Sequence, residues 1–338
     1  MQQTRPAQSL RSRTWFKLIC GASLHHIPSV RNLAFIFTAA GADCIDMAAD
    51  PAIVRAARMG VAAALEQYPQ AKAPWLMASF NDGEDPHFRK AIALTDTCPT
   101  DCPQPCIASC PPAAISGTSR GISIHTDLCF GCGRCEPLCP AQVIRTNNYQ
   151  VSAASQMPEL LDAGVEAIEI HTRIGRSLEF ESLWTQLLPW ASSLKLVSIS
   201  FNDGDGLESY LRRLVNLVQP MPAHLVWQVD GRPMSGDIGN GTTRATLHLA
   251  KKVLSFELPG YVQLAGGTNQ ATMPKARGLG IPVSGAAFGS FARKLVADAA
   301  DAIDLDRHSP QFVEAIARAR QLVTQVKQPT SVEAILLR

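Results

Sequence analysis

Cysteine is the residue type whose spacing in this chain points most directly to chemistry. The chain has 338 residues and ten cysteines, and eight of the ten lie between positions 98 and 139. A disulfide framework is typical of small secreted domains. Eight cysteines in one short segment of a large chain instead indicate metal binding or redox chemistry. The remaining two, Cys20 and Cys44, are expected to be small buried core residues.

The later four of these cysteines have the ligand spacing of bacterial ferredoxins. They are Cys129, Cys132, Cys135 and Cys139. The pattern is C-x2-C-x2-C-x3-C followed by Pro140, which is typical of an iron–sulfur ligand loop. Gly131 and Gly133 allow the tight curl that brings three thiolates onto one face of a cluster. Zinc sites favour paired knuckles separated by about 12–20 residues, so the pattern favours a 4Fe–4S cluster over zinc.

The earlier four cysteines have a looser version of the same pattern. They are Cys98, Cys102, Cys106 and Cys110. The last pair keeps the C-x3-C-P spacing, but the two earlier gaps are three residues rather than two. Prolines at positions 99, 103 and 105 are incompatible with a continuous helix, so an extended, curling loop is expected. The irregular spacing leaves two cluster types open here, 4Fe–4S and 3Fe–4S with one cysteine unused.

The two groups of cysteines also form an internal repeat. Cys110-Pro-Pro-Ala-Ala-Ile115 matches Cys139-Pro-Ala-Gln-Val-Ile144, as in a two-cluster ferredoxin. In such proteins the fourth cysteine of one group usually binds the cluster of the other. One cluster is then expected on Cys110, Cys129, Cys132 and Cys135. The second is expected on Cys98, Cys102, Cys106 and Cys139.

Short β-rich runs alternate with amphipathic runs outside the cysteine segment, and this alternation predicts a parallel sheet with crossover helices. The predicted strands are 16–20, 44–47, 75–80, 167–171, 195–201, 223–229, 261–265 and 282–286. The predicted helices include 29–40, 52–66, 207–218, 242–255 and a C-terminal helix from Ser309-Pro310 to about Gln325. Eight strands favour a TIM-like (β/α)8 barrel over an open doubly wound sheet. The cysteine segment follows the third strand, so it is expected to be a ferredoxin-like module over the barrel mouth.

The expected domain organisation follows from this placement. Residues 1–94 form the first part of the barrel, and residues 95–145 form the 4Fe–4S module. Residues 146–300 complete the barrel, and residues 301–338 form a helical tail.

Polar and glycine-rich stretches fall at the ends of the last predicted strands. The candidate ligand-binding residues are Asp230, Arg232, Gly266, Gly267, Thr268, Asn269, Gly285, Gly289 and Ser290. The loops after strands 7 and 8 are the usual phosphate site of this fold, so a phosphorylated ligand or a flavin would fit there. The alternative is that these glycines only permit tight turns. The loop from Asp230 to Asp237 is either part of a ligand site or a lid over the cysteine module.

Charge and hydropathy exclude several classes of protein. The net charge of +2 gives no strong attraction for nucleic acid. No apolar run of about 18 residues is present, and the N-terminal segment lacks a convincing cleavage site, so a cytoplasmic location is expected. No Ser-His-Asp set, metal-binding histidine pair or Walker loop is visible, so no catalytic residue is assigned and an enzymatic role stays open.

The chain resembles the LdpA (light-dependent period) family, iron–sulfur proteins of oxygenic phototrophs. Besides both cysteine groups, the resemblance covers five stretches. These are 16–22, 40–46, Asn81-Asp-Gly-Glu-Asp-Pro-His-Phe-Arg-Lys90, Asp230-Gly-Arg-Pro-Met-Ser-Gly-Asp237 and Gly266-Gly-Thr-Asn269. The resemblance implies a redox sensor that feeds the cell's redox state, and so light intensity, into the circadian clock. It also implies sensor kinases and clock proteins as partners, and no enzymatic reaction is carried over from the family to residues of this chain.

Three functions are compatible with these observations. The first is a redox-sensing electron carrier that takes electrons from the photosynthetic pool. The second is a flavin- or phosphate-ligand-binding oxidoreductase, in which the built-in ferredoxin module supplies electrons to the barrel mouth. In the third, the clusters are structural staples that only hold a long loop in place.

Overall fold

The computed structural model describes residues 5–83, 88–129, 131–150, 152–232, 242–302 and 308–328. In chain order its strands are β1 (Trp15–Gly21), β2 (Cys44–Ala48), β3 (Trp75–Asn81), β4 (Arg89–Ala93), β5 (Ile115–Gly117), β6 (Ile122–Ile124), β7 (Ile144–Asn148), β8 (Ala167–His171), β9 (Leu196–Phe201), β10 (Leu225–Asp230), β11 (Tyr261–Ala265) and β12 (Gly285–Phe288).

The helices of the described residues surround and extend these strands. They are α1 (Arg5–Arg11), α2 (Ile27–Ala40), α3 (Pro51–Gln67), α4 (Pro105–Ala108), α5 (Cys135–Leu138), α6 (Ala153–Ala163), α7 (Ser177–Leu187), α8 (Leu207–Leu217), α9 (Thr243–Leu254), α10 (Thr272–Gly278), α11 (Ser290–Leu295), α12 (Ala297–Ala300) and α13 (Pro310–Lys327), with a 3-10 helix at Leu188–Ser193.

Eight of the strands close into a parallel barrel in the order β1-β12-β11-β10-β9-β8-β3-β2. The last strand pairs with the first in parallel, with Trp15 opposite Gly285 and Leu18 opposite Phe288. This pairing confirms the predicted barrel and excludes the open sheet, because an open sheet has two unpaired edges.

The predicted position of the last barrel strand was wrong by about three residues. The apolar residues Pro282 and Val283 suggested a strand at 282–286, but β12 begins at Gly285. The start is fixed by the closure of the barrel. A Cβ atom at position 285 would lie 1.9 Å from the carbonyl oxygen of Trp15, so only glycine lets these two strands approach so closely.

The bottom of the barrel interior is apolar. It is filled by Trp15, Cys44, Trp75, Met77, Ala167, Leu196 and Val226. Ala7 and Leu10 of α1, a helix that the sequence analysis did not predict, belong to the same cluster. A much larger cluster lies between the strands and the outer helices and includes Cys20. Both Cys20 and Cys44 are fully buried, as predicted.

The outer helices begin where the sequence signals place them. The Asp50 side chain accepts hydrogen bonds from the backbone N–H groups of Ala52 and Ile53, at 2.7 and 3.2 Å, and so caps α3. The predicted C-terminal helix is α13, capped by Ser309. Phe312 of α13 meets Phe35 of α2 edge-to-face at 6.0 Å, which fastens this helix to the barrel.

The cysteine segment leaves the barrel after β3 and returns to it before α6. Strands β4 and β7 pair antiparallel at its base, and β5 and β6 form a small hairpin. The base pair was not predicted. Within the predicted extended, curling loop at 98–110, α4 forms one helical turn around Cys106 that was not predicted. Pro105 is the first residue of that turn, where a missing N–H costs nothing, so the prolines exclude only a longer helix.

Candidate iron–sulfur centre and barrel mouth

The eight clustered cysteines fall into two groups of four in space. All are free thiols. The first group, here called the barrel-facing quartet, is Cys110, Cys129, Cys132 and Cys135. Burial raises the pKa of Cys135 to about 12, and the thiolates of the other three add to this rise. All four of these cysteines line one small cavity, so their sulfurs lie close enough together to hold a single metal cluster.

The second group, here called the outer quartet, is Cys98, Cys102, Cys106 and Cys139. Burial raises the pKa of Cys98, and Cys102 and Cys139 add to that rise. The pKa of Cys106 is likewise raised by burial and by Cys139 and Cys98. Cys139 thus lies with the earlier cysteines, and Cys110 with the later ones. This exchange of the fourth cysteine is the arrangement that the ferredoxin pattern predicts.

The surroundings of the barrel-facing quartet fit an iron–sulfur cluster. A small cavity between the four sulfurs is otherwise lined largely by apolar side chains, among them Ala91, Ile115 and Ile124. Backbone N–H groups donate to two of the sulfurs: Ala91 to Cys129 at 3.4 Å and Ala114 to Cys110 at 3.2 Å. Soft thiolates, an apolar shell and amide donors are what such clusters require.

The cysteines do not form a site for a single metal ion. Within the described ranges, no three His, Cys, Asp or Glu side chains close around a single ion. A cluster places each thiolate on its own iron atom, so its ligands are spread more widely than those of a single ion.

The module is fastened to the loop that follows β1. The Lys90 ammonium donates to the carbonyl oxygen of Ser23 on the barrel side and to that of Cys129 on the module side, at 2.9 Å. The Tyr149 hydroxyl donates to the carbonyl oxygen of Ala22 at 2.8 Å. These contacts place the barrel-facing quartet over the carboxyl ends of the barrel strands.

A polar cavity of about 80 Å³ lies at this barrel mouth, and Cys132 of the quartet forms part of its wall. Seven of the predicted ligand-binding residues line it. They are Asp230, Arg232, Gly266, Gly267, Thr268, Gly289 and Ser290. The tertiary structure thus brings together residues from the ends of three barrel strands.

Two of the predicted ligand-binding residues do not line this cavity. Asn269 is buried and accepts a hydrogen bond from the backbone N–H of Ala271 at 2.9 Å, and Gly285 packs against Trp15. Gly266 also has a packing role, because a Cβ atom there would lie 2.8 Å from the backbone nitrogen of Arg232. The interpretation that these glycines permit close packing therefore holds for Gly266 and Gly285.

A layer of charged residues lies inside the barrel, directly below the cavity. This layer was not predicted from the sequence. Lys17 of β1 is fully buried and bonds to Glu169 of β8, and its ammonium lies 3.6 Å from Asp46 of β2. Glu169 also accepts from Gln228 at 2.7 Å and lies 3.2 Å from Nε2 of His171. The interior of a TIM barrel is usually packed with branched apolar residues. The upper layer of this barrel departs from that pattern, because it is charged.

The charged residues of this layer shift one another's pKa values. Burial lowers the pKa of Lys17, but Glu169 and Asp46 more than offset that and raise it. Burial raises the pKa of Glu169, but Lys17 and His171 hold it well below its usual range. Burial raises the pKa of Asp46 to about 6, with a further rise from Glu169 and an opposing effect from Lys17. The layer is therefore a stable ion pair with a second carboxyl that titrates near neutral pH.

A sequence signal for this layer exists. Lys17, Asp46 and Glu169 each interrupt an otherwise apolar strand, and a charge inside a buried parallel strand is rare unless it is paired. The signal does not identify the partners, because they come from strands that are far apart in the chain.

Two stretches that the sequence singles out lie partly outside the described residues. Of the loop from Asp230 to Asp237, positions 233–237 lie outside the described residues, as do positions 84–87 of the stretch that ends at Lys90. The site described above rests on neither.

Two family models match different parts of the chain. A model of the LdpA Fe-S cluster-binding domain matches residues 98–150, and a model of the light dependent period A C-terminal domain matches residues 159–325. A relative from Synechococcus elongatus, light dependent period A, is 44% identical over 355 residues and covers 100% of this chain and 99% of its own length. The chain belongs to the light-dependent period A family.

A ferredoxin matches a smaller part of this family member, and a solved structure matches nearly all of it at low sequence identity. A ferredoxin from Streptomyces griseus is 46% identical over 61 residues, which are 18% of this chain and 55% of that ferredoxin. Tryptophan synthase subunit alpha from Legionella pneumophila superposes with a TM-score of 0.47 at 8% identity, covering 96% of this chain and 98% of that one. No helix in the described part of this light-dependent period A relative is long and apolar enough to cross a membrane.

Proposed function

We propose that this protein senses the redox state of the cell through two iron–sulfur clusters and relays it, and so light intensity, to the circadian clock. The observation that carries the proposal is the grouping of eight free thiols into two quartets, one of which adjoins the barrel mouth through Cys132. Membership of the light-dependent period A family supports the connection to light and to the clock.

The barrel-facing quartet would hold one 4Fe–4S cluster, and the outer quartet a second cluster of the 4Fe–4S or 3Fe–4S type. A bound cluster supplies reversible one-electron transfer. The chain's own contribution is to supply the thiolates, to donate the amide hydrogen bonds of Ala91 and Ala114 to sulfur, and to exclude water with the surrounding apolar side chains.

The same proposal includes a cytoplasmic location and a module at about 95–145 between two barrel segments, 1–94 and 146–300, with a tail at 301–338. Electrons would come from the photosynthetic electron pool. The partners would be clock-associated sensor kinases and clock proteins, whose docking responds to the charge of the clusters. Nucleic acid is not among the proposed partners.

The decisive experiment is anaerobic purification followed by iron and sulfide analysis and low-temperature EPR. Wild type should contain two clusters that are reversibly reduced. Cys132→Ser should lose or alter one EPR signal, whereas Cys44→Ser, which replaces a buried cysteine at the bottom of the barrel, should keep both. Iron-free wild-type protein would contradict the proposal. Clusters that cannot be reduced before the module unfolds would instead support a purely structural role.

A second candidate, an oxidoreductase acting on a phosphorylated ligand or a flavin, is favoured by one observation. The polar cavity at the barrel mouth is bounded on one side by Cys132 and on the other by Glu169, His171 and Asp46. Its volume of about 80 Å³ is well below the roughly 300–1,000 Å³ of a site for a drug-sized ligand, so a small phosphate ester fits better than a flavin.

Thermal unfolding separates the two ligands. Glycerol 3-phosphate should raise the melting temperature of wild type and not that of Arg232→Gln, if the cavity binds a phosphate ester. Flavin mononucleotide tests the flavin alternative in the same assay. A melting temperature unchanged by both would contradict this second candidate and leave the redox-sensing proposal untouched.

A further inference from the structure

Basic side chains gather around the barrel-facing quartet. Lys90 donates to the carbonyl oxygens of Thr126 and Cys129, at 2.5 and 2.9 Å. Its neighbour Arg89 donates to the carbonyl oxygen of Gly131 at 3.3 Å. Both residues lie on β4, so this strand presents two positive charges to the turn that carries Cys129 and Cys132.

A third positive charge comes from the barrel. Arg293 of α11 donates to the carbonyl oxygens of Ile19 and Cys20, at 3.2 and 2.7 Å, which fixes its guanidinium beside β1. It shares the wall of the mouth cavity with Cys132. Burial lowers the pKa of Arg293 to about 10, and the nearby Cys20 and Cys132 thiols oppose that fall. This cation is therefore charged at neutral pH and close to the barrel-facing quartet.

The charged groups beside this quartet also include two acids, of which Glu136 is partly buried, and a further cation, Arg134, which lines the cavity between the four sulfurs. Asp127 is exposed to solvent and interacts with Lys90. Glu136 accepts a hydrogen bond from Thr146 at 2.7 Å. Water screens an exposed carboxylate more strongly than a partly buried guanidinium, so the positive charges dominate the field at the cluster.

The outer quartet has a different electrostatic setting. The charged side chains along its loop are Asp96, Asp101 and Arg120. Asp96 and Arg120 pair at 2.6 Å with 64% and 72% of their side chains exposed, and Asp101 is also exposed. Exposed ion pairs have weak fields because solvent screens them. These groups sum to one negative charge and are all exposed, whereas Arg89, Lys90 and Arg293 beside the other quartet are partly buried.

Reduction adds a negative charge to a cluster, so a fixed positive charge nearby favours the reduced form. We propose that Arg293 and Lys90 hold the cluster of the barrel-facing quartet at a higher reduction potential than the cluster of the outer quartet. Electrons then enter at the outer quartet, whose loop at 99–101 is exposed, and collect at the cluster beside the barrel mouth. This inference rests on the proposed function, since it requires both clusters to be present.

An EPR-monitored redox titration of the iron-loaded, full-length protein tests the proposal. Wild type should show two midpoint potentials. Arg293→Gln should shift the higher one downwards, towards the lower one, by more than the spread of replicate titrations. Arg293→Lys, which keeps the charge, should restore part of the shift. Lys294→Gln is the matched control, because it removes the same charge from the adjacent, exposed position on α11, and it should leave both potentials unchanged.

The cluster that shifts must be the one on the barrel-facing quartet. Cys110→Ser should perturb the EPR signal of the higher-potential cluster, and Cys98→Ser that of the lower-potential cluster. The proposal is overturned if the two potentials coincide, if the assignment is reversed, or if Arg293→Gln behaves like Lys294→Gln. If Arg293→Gln does not retain iron, Lys90→Gln decides on the same criteria. Absence of clusters from wild type would instead refute the proposed function, and iron analysis separates the two failures.

Discussion

At the scale of single residues, the buried charges of the barrel are the feature with the largest energetic consequence. Lys17 and Glu169 are both 0% exposed. Removing two charges from water is costly, and the cost is offset only when each charge keeps its partner. The pair is therefore sensitive to the loss of either member. Its position below the mouth cavity explains why the chain tolerates it, since functional sites are where barrel interiors depart from apolar packing.

Replacing Lys17 tests whether the buried ion pair depends on both of its partners. Lys17→Met leaves Glu169 and Asp46 as buried carboxylates without their cation, so the free energy of unfolding should fall by about 3–5 kcal/mol. The control is Lys195→Met, which breaks the partly exposed pair of Lys195 and Glu166 and should cost under about 1 kcal/mol. Chemical denaturation followed by circular dichroism measures both. Equal losses would show that the barrel pair is no more important than a surface pair.

Asp46 gives the molecule a specific pH dependence. Its pKa is about 6 in the folded chain against an ordinary 3.8. Between these two pH values, the folded state therefore holds a proton that the unfolded state has lost. The stability from Asp46 is thus fully present below pH 3.8 and is lost as pH rises through about 6. Between pH 5 and 7, wild type should lose about 1 kcal/mol relative to Asp46→Asn. A constant difference between the two proteins across this range would contradict the assigned pKa.

At the scale of elements, the contact between β1 and β12 decides whether the sheet closes. The two strands are joined by the register of Trp15 with Gly285. Trp15 also donates from its indole nitrogen to Gln263 of β11 at 2.5 Å, so the same residue ties β1 to the strand beyond. A change at this seam affects the whole barrel, whereas a change at a helix end affects only that helix.

Gly285→Ala is therefore expected to be destabilising. The new Cβ atom would meet the carbonyl oxygen of Trp15 at 1.9 Å, so one strand must move, at a cost of about 1–3 kcal/mol. Gly278→Ala is the control, because a Cβ atom there meets nothing within 4 Å and alanine is the better helix former at the end of α10. Thermal unfolding should show a lower melting temperature for the first variant only.

At the scale of the whole molecule, the barrel and the cysteine module differ in how they are held together. The barrel has an extensive apolar core. Among its described residues, the module has a buried cluster of nine, four of which are cysteines. A core this small does not stabilise a fold by itself, so such modules depend on their metal.

Removal of iron should therefore separate the two parts. In hydrogen–deuterium exchange, the cluster-free protein should lose protection in β4 to β7, while β1, β8 and β10 keep theirs. Comparison of iron-loaded and cluster-free samples by mass spectrometry resolves these segments. Unchanged protection of the module after iron loss would show that its own contacts suffice, and protection lost throughout would show that the barrel also depends on the clusters.

The sequence alone determined the local features of this protein. Cysteine spacing indicated an iron–sulfur segment, and the alternation of strands and helices predicted the eight-stranded barrel. Both signals are periodic and short-range, so they can be read without knowing which residues meet. The C-terminal helix, predicted from Ser309-Pro310, belongs to the same class.

Only the tertiary structure decided which distant residues act together. Lys17, Asp46 and Glu169 come from strands that are separated by up to 152 positions, and Arg293 meets the carbonyl of Cys20 across 273 positions. The packing of α1 against the bottom of the barrel and the exact start of β12 were also decided by the tertiary structure. The physical reason is that closing the barrel fixes these pairings through packing, and no local pattern in a single chain records them.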